Sequence, residues 1–213
     1  MRMPSRKKLS RFLPFILMSV GATLLFYVGV QYWTMYSEQQ RLAREWEEQQ
    51  VKRQVPGVEF ADDGLTRMSI PKIKLNAVVV EGTSHKALLR GPGHVENTPA
   101  PGENGNSVVT AHRDTFFRRI YELSKGDLIT VQRNGKAFNY EVTGKKIVDP
   151  SDISVLKNSK DPRLTLITCY PTYYIGPAPE RLVVFTKMAE ESHAALRNAS
   201  QAPPNGSGAV APR

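Results

Sequence analysis

Residues 128–142 read LITVQRNGKAFNYEV. Apolar and polar side chains alternate on both sides of Asn134-Gly135, a dipeptide that favours a two-residue turn with positive φ at both central positions. The stretch is therefore expected to be a β-hairpin made of strands 128–133 and 136–142. Working outward, further strand-like runs bounded by Gly, Pro and Asn lie at 68–73, 77–81, 107–111, 146–148, 164–168 and 181–185. Helical propensity in the same region is confined to 84–89 and 115–122, with a turn after Asp152. Short strands with few helices over about 130 residues predict an all-β domain, a closed or nearly closed β-barrel.

The chain on either side of this domain has a different character. Residues 12–30, FLPFILMSVGATLLFYVGV, are nineteen residues without a charge. As a helix they would span about 28 Å, close to the hydrocarbon thickness of a bilayer. Tyr32, Trp33 and Tyr36 follow, where amphipathic rings favour the interface. A cleaved signal peptide has a shorter apolar run ending in small residues, so a retained transmembrane anchor is expected. Arg2, Arg6, Lys7, Lys8 and Arg11 precede it with no acid, and the positive-inside rule puts that end in the cytoplasm and the rest outside.

These five cations supply more than half of the formal +9 carried by the 213 residues. The body is only mildly basic and has no Lys/Arg block interleaved with aromatics, so nucleic acid is not an expected partner. Residues 37–54 are polar and rich in helix formers, with Leu42, Trp46 and Val51 their only large apolar side chains. They read as a solvated helical stalk ending before Pro56-Gly57. Beyond 190, QAPPNGSGAVAP reads as a disordered tail. The expected organisation is a cytoplasmic segment 1–11, anchor 12–30, stalk 31–57, β-rich domain 58–189 and tail 190–213.

Cys169 is the single cysteine, which excludes an internal disulfide and a cysteine metal cluster. It closes the run LTLITC and precedes Tyr170-Pro171, where a strand gives way to a loop. A lone cysteine is commonly a small buried hydrophobe. Outside the cytoplasm, however, an unpaired thiol invites oxidation unless it is buried or used, and a strand end holds a nucleophile rigid yet accessible. A thiol nucleophile needs a base, usually histidine. Of the four histidines, His193 lies in the tail, His85 starts a short helix, and His94 sits in the turn GPGH, structural or lining a site. His112 ends the run NSVVTAH at another strand end and is the best candidate. Arg181 opens RLVVF beyond the loop after Cys169. If the flanking strands are neighbours it returns to the thiol and can stabilise an oxyanion; its ordinary role would be an ion pair with Glu180.

TLITC at 165–169 fits the TLxTC signature of the sortases, with Arg181 at the spacing of their essential arginine. GPGH at 91–94, residues 101–120 and CYPTYYIGPAPERLVV at 169–184 resemble the class D branch, so the resemblance covers about 58–188. It implies a closed eight-stranded sortase-type barrel behind a membrane anchor, acting outside the cytoplasm without a cofactor. It further implies cleavage of a Leu-Pro-x-Thr-Gly-like sorting signal near the C-terminus of secreted proteins. Cys169 would form a thioacyl-enzyme, His112 would serve as acid and then base, and Arg181 would hold the substrate backbone or the oxyanion. The acyl group would pass to an amine on a cell-wall precursor or a pilin lysine. On this resemblance Thr168, Tyr170, Tyr173, Tyr174 and His94 are candidate substrate-binding residues, although each also has an ordinary packing role.

Asp114 reads as a loop cap rather than an orienting third member of a triad. Asp149, Asp152 and Asp161 lack a calcium-ligand spacing, so no metal is expected. Three alternatives remain open at this stage: a pilin-polymerising sortase, a cysteine peptidase that hydrolyses the same intermediate, and a non-enzymatic anchored barrel. ADDG at 61–64 is too slight for a lid over the site and no second apolar span follows, which favours attachment of secreted proteins over pilus assembly.

Overall fold

A computed structural model describes residues 6–53, 65–190 and 192. Residues 191 and 193–213 of the expected tail 190–213, the end of the stalk at Pro56-Gly57 and ADDG at 61–64 lie outside the described residues. The β-rich region is a closed barrel. Its strands are β1 (Thr66–Ile70), β2 (Leu75–Glu81), β3 (Gly93–His94), β4 (Asn106–Thr110), β5 (Leu128–Arg133), β6 (Lys136–Val148), β7 (Arg163–Tyr170) and β8 (Glu180–Met188). They follow one another around the barrel as β1-β2-β3-β4-β7-β8-β6-β5, with β5 pairing back to β1. Most neighbours are antiparallel, whereas β2–β3 and β4–β7 are parallel. The β5–β6 hairpin has the expected turn, with Asn134 at φ 52° and Gly135 at φ 72° between paired Arg133 and Lys136.

Several elements differ from the sequence reading for local reasons. The first run stops at Ile70 because Pro71 opens a 3-10 turn, Pro71–Ile73, closed by Lys74 at φ 55°. The runs 136–142 and 146–148 form one strand, β6, whose pairing with β8 shifts register between Val142 and Gly144. A bulge of this kind breaks the period-2 pattern and divides a continuous strand into two apparent ones. Two-residue β3 is too short to show any alternation. The expected helix at 84–89 is α2 (His85–Arg90), capped by Ser84, whose hydroxyl accepts from Ala87 N at 3.2 Å. Only Ile120–Glu122 of the 115–122 stretch is helical, as a single 3-10 turn, and Ile153–Leu156 forms another after Asp152.

N-terminal to the barrel runs α1 (Arg6–Arg53), 48 residues long. The large apolar side chains between 12 and 30 are exposed. The following stretch is not the free stalk its composition suggested, because it is seated on the barrel. Leu42, only 4% exposed, packs with Val78 and Val80. Gln39 acts as an extra rung on β2: its Oε1 accepts from Val78 N (3.0 Å), while Nε2 donates to Val78 O (3.2 Å) and Arg90 O (2.6 Å). Gly91 makes room for that amide, since a Cβ there would lie 2.7 Å from both Gln39 Nε2 and Val78 O. Arg67 lies over the Trp46 ring, 4.9 Å from its centroid.

Inside the barrel, Met68, Ile70, Ile129, Val131, Leu164 and Leu166 are fully buried. Tyr140 stands among them and its hydroxyl accepts from Gly102 N at 2.8 Å. Burial pushes the Tyr140 phenol up to about 12, against the opposing pull of the Gly102 hydrogen bond. Because the neutral phenol is favoured in the fold, its contribution is complete below about pH 10 and is lost as pH rises through about 12. The linked stability is about 2–3 kcal/mol. Denaturant unfolding of wild type and Tyr140→Phe at pH 8 and pH 11.5 should show the gap between them narrowing at alkaline pH. At pH 8 the variant should be less stable by about 1–2 kcal/mol, since Gly102 N–H loses its partner.

Candidate active site

The parallel β4–β7 ladder runs from Asn106↔Arg163 to Thr110↔Ile167, so both strands end at the same rim of the barrel. Three bonds carry the pairing past the ladder. Ala111 N donates to Ile167 O (3.2 Å), Thr110 Oγ1 donates to the same carbonyl (3.0 Å), and Thr168 Oγ1 donates to Ala111 O (2.7 Å). His112 therefore leaves β4 level with Cys169. On the other side of β7, antiparallel β8 places Arg181 directly opposite Cys169. Directly opposed residues have Cβ atoms about 4.5–5.5 Å apart.

Strand alternation then sets the direction of the thiol. Leu164 and Leu166 belong to the barrel interior, while Ile167 packs on the other face with Val183 and Val155. Cys169 shares the face of Ile167, and Arg181 that of Val183, so the pair faces out of the interior. Cys169, His112 and Arg181 are all half-buried, and the thiol is unpaired. The His85 ring meets that of His112 edge-to-face, with centroids 6.0 Å apart. Arg181 forms no contact with the Glu180 carboxylate; Nη1 donates to the backbone oxygens of Ala178 (3.3 Å) and Glu180 (3.0 Å). The charge of Arg181 is felt at Asp149, whose carboxyl is held below its usual range first by hydrogen bonds from Ser151 and least by this charge, against burial and the neighbouring Asp152, which raise it.

The loop between β7 and β8 is held by Arg113, a residue the sequence reading passed over. Arg113 Nη1 donates to Pro171 O (3.1 Å), and Nη2 donates to Tyr174 O (2.9 Å) and Gly176 O (2.7 Å). Its guanidinium also lies 5.7 Å from the centre of the Tyr174 ring. The residue following His112 thus ties down the loop following Cys169. Removing three hydrogen bonds to a largely exposed loop should loosen it without unfolding the barrel. Arg113→Ala is expected to raise the KM for a donor peptide about tenfold with a smaller change in kcat, and to speed proteolysis within 171–179. A uniform fall in kcat with KM unchanged would contradict a positioning role.

The other candidate residues are placed as follows. Tyr173 and Tyr174 are on the exposed β7–β8 loop, and Tyr173 OH reaches Tyr121 OH at 3.3 Å. Tyr170 packs against the interior cluster. Thr168 is buried with its hydroxyl committed to Ala111 O. His94 is 7% exposed and both its nitrogens are occupied within the fold. Nδ1 meets both Glu81 carboxylate oxygens at 3.0 Å, and Nε2 meets Pro99 O and Thr98 Oγ1 at 3.0 Å. His94 is thereby held by its own chain, in a small cavity bounded by Glu81 and Arg133 that neither Cys169 nor His112 lines. Among the described residues, no three His, Cys, Asp or Glu side chains gather as a metal site.

A closed barrel that brings a thiol, an imidazole and a guanidinium to one rim has the parts of a cysteine-based acyl-transfer site. A sequence model of the sortase domain matches residues 68–189, more than half of the chain. The chain belongs to the sortase family, and the class D branch fits it. It is 43% identical over 122 residues to sortase D of Bacillus subtilis strain 168, a match covering 56% of this chain and 61% of that protein. It is 34% identical over 106 residues to sortase A of Listeria monocytogenes, covering 48% of this chain and 47% of the relative. The chain thus aligns with about half to three fifths of the length of these relatives. A Clostridium perfringens sortase D5 transpeptidase superposes with a TM-score of 0.61 at 29% identity, covering 72% of this chain and 99% of that one. Sortase C-1 from Actinomyces oris gives 0.55 at 31% identity, over 60% of this chain and 75% of the other.

Proposed function

We propose that this chain is a membrane-anchored transpeptidase that cleaves a Leu-Pro-x-Thr-Gly-like sorting signal of secreted proteins and transfers the acyl group to an amine, attaching the protein at the cell surface. The observation that carries this reading is the register of β7 against both neighbours, with Cys169 level with His112 on one side and opposite Arg181 on the other. The anchored topology is supported by the apolar stretch of α1 and the basic cluster ahead of it.

In the first half-reaction the Cys169 thiol gives its proton to His112 and its sulfur adds to the threonine carbonyl carbon of the signal. The C–N bond breaks, and His112 gives a proton to the departing amine. Arg181 donates to the carbonyl oxygen as it gains negative charge, the interaction that most lowers the barrel site's barrier to a tetrahedral intermediate. In the second, an incoming amine attacks the thioester, His112 takes its proton, and sulfur leaves with the electron pair of the C–S bond. Thiols serve this cycle well because even a small thiolate fraction is strongly nucleophilic.

The test is to incubate the full chain, in detergent or vesicles, with a signal peptide, with and without an added primary amine, and weigh the products. A Cys169 acyl adduct and an amine-linked product support transpeptidation. An adduct that yields only the free acid, whatever the amine, would make the chain a peptidase. No adduct and no cleavage of any signal peptide would overturn the catalytic reading.

A further inference from the structure

On the barrel's outer face, β6, β8 and the start of β7 meet the segment between β6 and β7 around a cavity of about 720 Å³. Lys145, Lys146, Lys157, Arg163 and Lys187 line it, and no carboxylate does. Lys145 Nζ donates to Tyr121 O at 2.6 Å, Lys187 pairs with Glu141 at 3.5 Å, and Lys146 approaches Asp152 only at 4.0 Å. Lys157 and Arg163 are exposed and form no ion pair among the described residues. A cleft lined by one sign of charge concentrates ligands of the other, so the walls suit an anion with several charges.

The register of β7 places this cavity relative to the thiol. Cys169, Ile167, Thr165 and Arg163 alternate onto one face of the strand, and Thr165 lies opposite Phe185 just as Cys169 lies opposite Arg181. Thr165, Arg163 and Phe185 line the cavity. Four strand steps, about 13 Å, separate Thr165 from Cys169, and six steps, about 20 Å, separate Arg163 from it. Between them the 3-10 turn Ile153–Leu156 covers Ile167 and Val183, with Ser154 and Val155 contributing to the cavity wall.

The chemistry at the rim gives a bound donor its direction. His112, which protonates the leaving amine, stands on the β4 side of Cys169, so the leaving portion lies toward β4. The acyl portion then lies on the opposite side, toward β8 and the cavity. An extended chain covers 13–20 Å in about four to six residues. In a signal of the form Leu-Pro-x-Thr the leucine is the third residue before the threonine, so the cavity falls to the residues just ahead of the leucine. We propose that this basic cavity seats an acidic stretch of the secreted protein immediately N-terminal to its sorting signal. The inference rests on the transpeptidase reading and adds a second element of donor recognition to it. The five cations touch no reacting atom; they raise capture of the donor and leave the chemical steps to the rim.

The test uses the full chain in vesicles of phosphatidylcholine, whose neutral surface does not compete for the cations. Acylation is measured with three donor peptides that carry one signal preceded by four residues, all acidic, all Ser/Gln or all lysine. In wild type the KM for the acidic peptide should be about tenfold below that for the lysine peptide at low salt. The ratio should approach one at 1 M salt, where the screening length is about 3 Å. The double variant Lys157→Glu, Arg163→Glu should reverse the preference while turning over the Ser/Gln peptide as wild type does. Circular dichroism checks its fold; should it fail, Lys157→Gln, Arg163→Gln decides, with the ratio expected to fall toward one. No preference in wild type, or a preference that survives the substitutions, would overturn the inference. Equal losses on all three peptides would also overturn it, because the cations would then serve some other anion. Absence of acyl-Cys169 with every peptide would instead overturn the transpeptidase reading and this inference with it.

Discussion

Cys169→Ala is expected to lower cleavage of a sorting-signal peptide by at least about 10⁴-fold and to abolish the acyl adduct in intact-mass spectra. The size of the effect follows from the inventory of the rim. Cys169 is the chain's single thiol, and the aliphatic hydroxyl next to it in sequence, Thr168 Oγ1, is buried and donates to Ala111 O. No second nucleophile is therefore poised to take over. The substitution removes one half-buried sulfur from an outward-facing strand position, so folding stability should change by less than about 1 kcal/mol. Loss of activity with an unchanged unfolding midpoint separates chemistry from folding. Cys169→Ser keeps the shape but offers a far less acidic hydroxyl, and it should be nearly as inactive. Residual cleavage by the alanine variant above about one hundredth of wild type would mean that the proposed nucleophile is wrong.

The second large effect is expected at His112. Positioned proton transfer contributes about 10²–10⁴-fold, so His112→Ala should lose that much from both acyl formation and aminolysis. Added imidazole should restore part of the loss by occupying the vacated volume, a rescue that a purely structural role would not show. His85 is the control because its ring touches that of His112 while it stands on a different element, α2. His85→Ala should cost less than about tenfold, the cost of a less restrained imidazole. Equal losses at both positions would mean that the two rings work as one unit, and a loss at His85 alone would reverse the assignment.

The sequence revealed what depends on local chemistry. Asn134-Gly135 declared its hairpin because both residues must take positive φ, and Ser84 declared the start of α2 because its hydroxyl can cap an open helix end. The candidate site was legible in part for the same reason, since Cys169 and His112 each close an apolar run where a strand ends. What remained hidden depends on neighbours distant in sequence. Strand direction has no local signature, so nothing in NSVVTAH indicates that β4 lies parallel to β7, which is what brings His112 level with the thiol. Arg113 reads as one more charged loop residue until its three carbonyl partners, about sixty positions away, are in place. The docked part of α1 escaped for another reason. Its attachment uses one buried leucine, a glutamine amide, the Trp46 ring under Arg67 and ion pairs from Glu38 and Glu47, too little apolar surface to register as an amphipathic stripe.

That attachment has a further consequence. Gln39 and Leu42 fasten the barrel to the same uninterrupted helix that carries the apolar stretch, with Gln39 nine helical steps beyond Val30. At 1.5 Å per residue this is about 14 Å of rigid rod. With residues 12–30 in a bilayer, as proposed, the rim carrying Cys169 cannot drift on a flexible tether. It is carried at one height above the lipid surface and turned in one direction. A secreted protein would then be selected by reach as well as by sequence, because its signal must hang at the level of the rim. Insertion of whole helical turns between Val30 and Gln39 would move that level in steps of about 5.4 Å.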